Sequence, residues 1–226
     1  MKQSVISAWR QFGLIDGALY LIDQALARVS DRTRLQCYTL TVQPIVDTPL
    51  APRRFLRAWT YRELHAGAQE FEHLPVPTEV ISDRFEQGAR CLAAFRDNEL
   101  TGFMWFVAHC YHEDEVRCDY FVHPPAAAVF DFDFYILPEH RQGLGFVALW
   151  DGANRFLYEL GIRQSFSRIT KFNSASRKAH EHLGMRDLGS AAFLKLWRFE
   201  CMVATVAPYI SVSWTRERRV RLDLGM

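Results

Sequence analysis

The stretch "LPEHRQGLGF", residues 137 to 146, lies where one hydrophobic pattern ends and another begins. Before it, "AVFDFDFYIL" (128–137) alternates with a period of two, which predicts a β-strand. After it, apolar residues recur every three or four positions up to Leu160, which predicts a helix that Gly161 ends. Glycine-rich turns are common, so this stretch is informative only together with its two flanks.

The two glycines of this stretch fall at the predicted start of the helix. The first amides of a helix have no intrahelical partner, and the helix dipole is positive there. Gly143 and Gly145 would let the backbone approach an anion closely, so the turn is a candidate pyrophosphate site. It is not the dinucleotide fingerprint, because a third glycine is missing and the preceding segments read as hairpin strands, not as βαβ.

The rest of the chain reads as an alternation of helices and strands without internal repeats. Residues 1–30 have helical spacing, with Leu19, Ile22, Leu26 and Val29 on a face that must contact either the main domain or a second subunit. The other predicted elements are a strand 35–42, a helix 55–71, a short helix 79–87, a hairpin 90–108 around Asp97-Asn98-Glu99, a strand 165–170, a helix from Asn173 or Ser174 to Leu183, and late strands 191–199 and 201–207.

Charge and cysteine usage narrow the class of protein. Lys plus Arg is 27 and Asp plus Glu is 26 in 226 residues, which gives no reason to expect nucleic acid as a partner. The five cysteines are irregularly spaced and include no CxxC, as is typical of reduced thiols in a cytoplasmic protein. No window of 18 residues is apolar and free of charge, and charges interrupt the N-terminus, so we expect neither a transmembrane helix nor a signal peptide.

One cluster invites comparison with a metal site. His109, Cys110, His112 and Cys118 carry ligand atoms for zinc, but their spacing fits no common zinc template. We therefore interpret them as strand and loop residues and expect no metal.

Two motifs together resemble a known family. The "PEHRQGLG" turn between a strand and a helix, followed one helix and one strand later by "NSASRKAHEHLGM", is similar to the GNAT superfamily of acyl-CoA-dependent N-acyltransferases. The resemblance covers roughly 35–205 and is sharpest from 128 to 185. It implies an α/β (α+β) fold with a mixed, mostly antiparallel central sheet flanked by helices. We expect an N-terminal helical extension (1–34), the acyltransferase domain (35–209), and a basic tail or last strand (210–226).

The chain departs from the family pattern at three positions. The turn is one residue short, so His140 occupies the place of the usual Arg or Gln. Seven residues after Asn173, where many members have a tyrosine that protonates the leaving thiolate, this chain has His180. The helix ends in Met185 where the family prefers an aromatic residue.

The resemblance implies acetyl-CoA or another acyl-CoA as co-substrate, with its pantetheine arm between "FDFDFYIL" and "SFSRIT". Backbone groups near three residues of the first strand would pair with the pantetheine amides, and the turn would bind the pyrophosphate. The implied binding residues are Tyr135, Ile136, Leu137, His140, Arg141, Gln142, Gly143, Leu144, Gly145, Phe146, Asn173 and Ser176.

The reaction also needs a base and an acid. Asp131 and Asp133 share one face of an ideal strand, about 7 Å apart by the two-residue rise. Their mutual repulsion and burial would raise one pKa and make that carboxylate a base, or the pair could bind a cationic amine. His180 can donate a proton near neutral pH. Alternatively, the two carboxylates are solvated or paired with a basic neighbour, and His180 faces solvent.

The implied activity is transfer of an acetyl or other short acyl group to a primary amine through a ternary complex. The acceptor would be a small molecule or a peptidyl amine. The segment 43–88 would help to shape its pocket, although aromatic residues such as Trp59, Tyr61 and Phe71 are more often core. A homodimer remains open. One alternative is transfer to a protein or cell-envelope precursor, and another is a catalytically silent acyl-CoA-binding module.

Overall fold

The structure, a computed structural model, describes residues 5–30, 32–74, 76–141, 143–215 and 218–225. The helices are α1 (Val5–Val29), α2 (Arg53–Leu56), α3 (Thr78–Glu86), α4 (Gly145–Glu159) and α5 (Ser174–Glu181), with 3₁₀ turns at Gln69–His73 and Pro138–His140. The strands are β1 (Thr33–Pro44), β2 (Trp59–Leu64), β3 (Arg90–Arg96), β4 (Glu99–Ala108), β5 (Cys110–His112), β6 (Cys118–Val122), β7 (Ala128–Ile136), β8 (Gln164–Thr170), β9 (Arg186–Leu196), β10 (Phe199–Ala204), β11 (Ile210–Ser213) and β12 (Val220–Leu224).

The chain forms two compact units. The first unit comprises Met1–Val42, Glu113–Asp119 and Arg168–Asp223, and the second comprises Gln43–His112, Tyr120–Ser167 and Leu224–Met226. The domain limits expected from the sequence stay a prediction.

The second unit is built on strands in the order β8-β7-β4-β3-β2. Every neighbouring pair is antiparallel except β7 and β8, which run parallel. The predicted hairpin is confirmed: β3 and β4 are joined through Asp97 and Asn98, whose φ angles of 53° and 67° are typical of a tight hairpin turn. Helix α4 contacts the sheet through Trp150 and Phe146, which both lie against the ring of Phe134.

The predicted helix over 55–71 is wrong. The range holds only the end of the short helix α2 and the start of a 3₁₀ turn. Between them, β2 pairs antiparallel with β3 from Trp59 opposite Arg96 to Leu64 opposite Cys91. An ion pair between Arg90 and Glu63 also joins the two strands. Pairing with an existing strand thus overrides a local pattern that is compatible with a helix, because strand propensity depends on cross-strand contacts.

The expected alternation along β7 holds only up to Phe132. Phe132 lies opposite Trp105 and Tyr135 lies opposite Phe103, so Asp133 and Phe134 together oppose Met104 alone. This is a β-bulge, and Asp133 has a φ of 49° within it. The extra residue reverses the faces: Phe132 stacks on Trp105, whereas Phe134 contacts α4. A strict period of two would place Phe132 and Phe134 on the same face, so the predicted alternation is wrong at this point.

The first unit contains strands in the order β11-β10-β9-β1, and every pair is antiparallel. Helix α1 is joined to it by an aromatic cluster of Phe12, Tyr20 and Phe172. An ion pair links Lys171 to Asp16, and the Asp23 carboxylate accepts the backbone N–H of Leu35.

Helix α1 is interrupted at Gly13, whose φ and ψ are 81° and 177°. Of the four apolar residues expected to share one contact face, Leu19 and Leu26 are half-buried, whereas Ile22 and Val29 are exposed. The helix is confirmed over the described residues, but half of its predicted contact face is uncovered.

These elements confirm the expected fold class, which is a mixed α/β arrangement whose strands are mostly antiparallel and flanked by helices. Among the described residues, no helix is long and apolar enough to cross a membrane.

Candidate functional site

Strand β7 has an edge that β8 leaves open. The two strands pair only from Ala128 opposite Gln164 to Phe130 opposite Phe166, although β7 continues to Ile136. Beyond Phe130 the backbone groups on that edge have no partner in β8. An unpaired strand edge offers N–H and C=O groups to any ligand that carries amides.

The direction of individual backbone groups follows from the pairing with β4. The Leu137 N–H donates to the Thr101 C=O at 2.9 Å, and Ile136 lies opposite Gly102. In an antiparallel ladder, alternate residues point to opposite edges, so the backbone groups of Ile136 face the open edge. The backbone groups of Tyr135 and the N–H of Leu137 face β4. Of the three residues predicted to pair with pantetheine, the backbone of Ile136 alone is oriented toward the open edge.

The open edge leads directly into the glycine turn, where the two glycines have different roles. Gly143 has a φ of 100°, which strongly favours glycine, and a Cβ there would meet no atom within 4 Å. At Gly145, a Cβ would lie 2.5 Å from the carbonyl oxygen of His140 and 3.3 Å from the Ile136 side chain. Gly145 is therefore required for the close packing of the turn, whereas Gly143 is required for its backbone conformation.

Arg141 binds the one backbone carbonyl that Ile136 presents to the open edge. Its Nε donates to the Ile136 carbonyl oxygen at 2.9 Å, and its guanidinium lies 5.2 Å from the centre of the Tyr135 ring. The predicted contact of the Arg141 side chain with an anion would have to compete with this internal bond.

The amides at the start of α4 are the second part of the candidate anion site. Among the described residues, the N–H groups of Gly143, Leu144 and Gly145 donate to no backbone carbonyl. The first turn of α4 carries no acidic residue, and Leu144 is exposed. Phe146 lies against Phe134. Gln142 lies outside the described residues. These amides, together with the positive end of the helix dipole, form a suitable site for an anion.

The two aspartates of β7 are in different environments, and the alternative of a basic neighbour is confirmed for Asp133. Asp133 lies in the bulge, and its carboxylate accepts from Arg84 of α3 at 2.6 Å. The Arg84 guanidinium is buried and lies 5.4 Å from the ring centre of Trp105 and 5.2 Å from that of Phe132. This ion pair fixes the bulge and neutralises the charge of Asp133.

Asp131 is buried and accepts from the Ser165 hydroxyl of β8 at 2.5 Å. Burial raises the pKa of Asp131 to about 7, and hydrogen bonds from Ser165 and Ser167 only partly oppose this effect. The raised pKa and its cause in burial agree with the expectation, but the expected repulsion between Asp131 and Asp133 does not contribute. Asp131 is the first residue of β7 beyond its last pair with β8, so a carboxyl group that titrates near neutral pH lies where the open edge begins.

His180 lies in the first unit and is buried, so it is not the solvent-facing residue considered as an alternative. Burial lowers its pKa to about 4, which keeps the imidazole neutral at pH 7. A neutral imidazole is a far weaker proton donor than imidazolium, so the burial argues against the expected role as an acid. That role stays a prediction.

Asn173 is the N-cap of α5, as the sequence predicts. Its side-chain oxygen accepts the backbone N–H of Ser176 at 3.0 Å. Both residues belong to the first unit, and their contact with a coenzyme stays a prediction.

Segment 43–88, which we expected to shape an acceptor pocket, contributes some aromatic residues to the core and others to a surface groove. Phe71 stacks on Trp105 and contacts Phe85, so it belongs to the core. Trp59 and Tyr61 line a groove of about 760 Å³ together with α2 and the C-terminal half of α4.

Two contributors to this site have no signature in the sequence. Arg84 is one of many arginines, and Ser165 is an ordinary strand residue. A bulge inserts a residue without changing the composition of a strand, so hydrophobic periodicity cannot reveal the contact between Arg84 and Asp133.

No protein-family model matches this chain, and neither does any curated protein sequence. Solved structures do match. A tandem GNAT protein from the clavulanic acid biosynthesis pathway is 15% identical with a TM-score of 0.49, and the match covers 76% of this chain and 56% of that chain. A putative GNAT-family acetyltransferase from Novosphingobium aromaticivorans is 13% identical with a TM-score of 0.47, covering 71% and 64%. An aminoglycoside N-acetyltransferase in complex with CoA is 21% identical with a TM-score of 0.41, covering 55% and 90%.

The chain thus matches between about half and two thirds of the length of the first two of these structures. Several of the matched structures are described as GNAT proteins or N-acetyltransferases, which is the family that the two sequence motifs resemble.

Proposed function

We propose that this chain is an N-acyltransferase that moves an acetyl or other short acyl group from acyl-CoA to a primary amine. One observation carries the proposal: the open edge of β7 runs directly into a glycine turn at the start of α4. Amide groups on a strand edge suit the two amides of pantetheine, and free helix amides suit its pyrophosphate. The two surfaces follow each other along the chain in the order in which these groups occur in coenzyme A.

The reaction we assign is direct transfer. The amine nitrogen attacks the thioester carbonyl carbon, the C–S bond breaks, and the products are an amide and the coenzyme thiol. The nitrogen must lose one proton, and the departing sulfur must gain one.

We assign proton acceptance to Asp131 through the Ser165 hydroxyl, because the pKa of Asp131 lies near neutral pH. Asp133 is a weaker candidate base, because Arg84 already holds its carboxylate in an ion pair. The backbone N–H of Ile136 faces the open edge and is our candidate for stabilising the developing oxyanion.

Calorimetric titration of acetyl-CoA tests the proposal. Wild type should bind, and Gly143→Asp/Gly145→Asp should not, because it places two carboxylates at the anion site. Gly161→Asp is a matched control, since Gly161 also has a positive φ and open space around it but lies just beyond the other end of α4. Circular dichroism should show that all variants are folded. Failure of the wild type to bind acyl-CoA of any chain length would overturn the proposal.

A second function is favoured by the burial of His180. With an imidazole that stays neutral at pH 7, the chain would lack a ready acid for the thiolate and could bind acyl-CoA without transferring the acyl group. A panel of amines with detection of released thiol separates the two functions. Thiol release that depends on the amine supports the enzyme, whereas tight binding without release across the panel supports a silent acyl-CoA-binding module.

A further inference from the structure

The first unit has a sheet face that is covered at one side only. In an antiparallel sheet, directly paired residues point to the same face. One such row crosses four strands: Cys37 lies opposite Ala192, Ala192 opposite Val203, and Val203 opposite Ile210. Along this row the exposed fraction rises from 1% at Cys37 to 52% at Val203 and 67% at Ile210.

In a second row on the same face, exposure also rises from β1 to β11. Leu35 is buried, its partner Leu194 and the next residue Cys201 are half-buried, and Val212 of β11 is exposed. Charged residues of β9 and β10, such as Lys195 and Glu200, alternate with these apolar residues and so point to the opposite face. The uncovered face is therefore apolar across β9, β10 and β11.

Helix α1 covers the β1 end of these rows. Asp16 and Asp23 of α1 are near enough to the Cys37 thiol to raise its pKa, in addition to the larger effect of burial. The Asp23 carboxylate also accepts the Leu35 N–H. Beside α1, over β9 to β11, no described residue covers this face in the same way.

Helix α1 itself carries an apolar stripe that nothing in the described residues covers. Exposed residues recur at positions 15, 18, 22, 25 and 29, alternating by three and four along the helix, and all are Ile, Ala or Val. This is the spacing of a helix seam that contacts another apolar surface. Ile15 is 77% exposed and Val29 is 67% exposed. The small residues Ala18 and Ala25 would allow a close approach.

Exposed apolar residues are concentrated in this unit. Of the large apolar side chains that are exposed among the described residues, all but Phe55, Leu144 and Leu160 belong to the first unit. The exposed set includes the aromatic residues Trp197, Tyr209 and Trp214, and an aromatic side chain can bury about 150–250 Å². With the exposed aliphatic residues of α1, β10 and β11, the apolar area is on the order of the ~800 Å² per partner that a stable interface buries.

We propose that two copies of this chain form a symmetric dimer in which the stripe of α1 from each copy covers the β9–β11 face of the other. The occupant is a second copy because one unit carries both an uncovered helix stripe and an uncovered sheet face. A two-fold arrangement satisfies both at once and leaves neither exposed. A lipid surface fits less well, because Arg28 is the one exposed basic residue from Phe12 to Val29. This inference does not depend on the proposed acyl transfer.

Sedimentation velocity of the full chain tests the assembly. Wild type should sediment as a dimer of the 26.3 kDa chain. Ile22→Glu on the helix stripe and Val203→Glu on the sheet face should each weaken the dimer by about 100-fold or more, because each buries a carboxylate in an apolar interface. Leu160→Glu is the matched control, an exposed leucine of the second unit whose replacement should leave the dimer unchanged. Because all three residues are exposed, their variants should stay folded.

Disulfide formation between differently tagged chains tests the geometry. One chain carries Ile22→Cys and Cys201→Ser, the other keeps its native half-exposed Cys201, and both carry Cys110→Ser. Oxidation of the mixture should join the two different chains. Disulfides only between two Ile22→Cys chains would overturn the helix-on-sheet arrangement. A monomeric wild type, or a dimer that survives Val203→Glu, would overturn the proposal, and a monomer that co-sediments with anionic vesicles would assign the face to lipid instead.

Discussion

The open edge of β7 and the outer face of β9–β11 are both uncovered, but β7 exposes backbone groups whereas β9–β11 expose apolar side chains. Along β7, pairing with β8 stops at Phe130, so one edge of the strand has no neighbouring strand from there to Ile136. On the outer face of β10 and β11, it is apolar side chains such as Val203 and Ile210 that are exposed. An unpaired polar backbone suits a ligand with amides and phosphates, whereas exposed apolar side chains suit a protein surface. The difference separates a substrate site from an assembly site.

The largest effect on acetyl-CoA binding is expected from a substitution at Gly145. Gly145→Ala places a Cβ against the His140 carbonyl oxygen, so the turn must rearrange and the α4 amides must move. We expect a loss of acetyl-CoA affinity of about 100-fold, comparable to the loss of two good hydrogen bonds. Gly143→Ala meets no atom and only strains φ, which costs about 1–2 kcal/mol, so its effect on calorimetric affinity should be smaller. Equal effects of the two substitutions would contradict the different roles of the glycines.

The next prediction concerns the ion pair at the bulge. Arg84→Met leaves the Asp133 carboxylate without its partner, and breaking a largely buried pair costs about 3–5 kcal/mol of unfolding free energy. In Arg84→Met/Asp133→Gly the unpaired charge is removed and glycine adopts the positive φ freely. Urea unfolding should therefore show that the double variant recovers most of the loss. A double variant as unstable as Arg84→Met would mean that Arg84 stabilises the fold mainly through its contacts with Trp105 and Phe132.

A third prediction concerns the pH dependence of stability at Asp131. Its pKa is raised to about 7 in the folded state, so between about pH 4 and 7 the folded state holds a proton that the unfolded state has lost. Stability must fall as pH rises through this window, with a slope of up to about 1.4 kcal/mol per pH unit. Asp131→Asn should remove this slope, so its stability relative to wild type should be about 3 kcal/mol higher at pH 8 than at pH 5.

Thermal unfolding across this pH range measures the effect. Asp97→Asn, at the exposed hairpin turn, is the matched control and should leave the slope unchanged. A slope that persists in Asp131→Asn would show that another group causes it.

The smallest effect on stability is expected at His180, and its pH dependence has the opposite sign to that of Asp131. Its folded-state pKa is lowered to about 4, so the unfolded state binds a proton below about pH 6.5 that the folded state does not. Stability should fall as pH decreases from about 6.5 to 4, by about 1 kcal/mol between pH 6 and 5. His180→Gln should flatten this part of the profile. If the residue is not an acid, the variant should also retain acyl transfer within about 10-fold, since general acid catalysis contributes 10²–10⁴-fold.

The sequence predicts those structural elements that are determined by residues close to one another in the chain. The positive-φ turn at Asp97 and Asn98, the strands on either side of it, the glycine turn, α4 and the Asn173 cap all depend on residues close in sequence. These elements, taken with the resemblance, were sufficient for the fold class.

The parts that the sequence does not predict depend on contacts across the fold. Trp59–Leu64 forms a strand because β3 is available to pair with it. The bulge at Asp133 is defined by its register against β4 and by Arg84, which lies far away in sequence. The burial of His180 and the exposure of Ile22 both depend on which face of a helix is covered, and periodicity cannot decide this.

The most direct test of the central claim is hydrogen–deuterium exchange of the full chain with and without acetyl-CoA. If acetyl-CoA binds along the open edge of β7 and at the glycine turn, exchange should slow at the amides of Ile136 and of residues 143–147. No change is expected across β10 and β11, whose protection should depend on protein concentration instead. Binding of acetyl-CoA without protection of the turn, or with protection centred on β9–β11, would contradict the account.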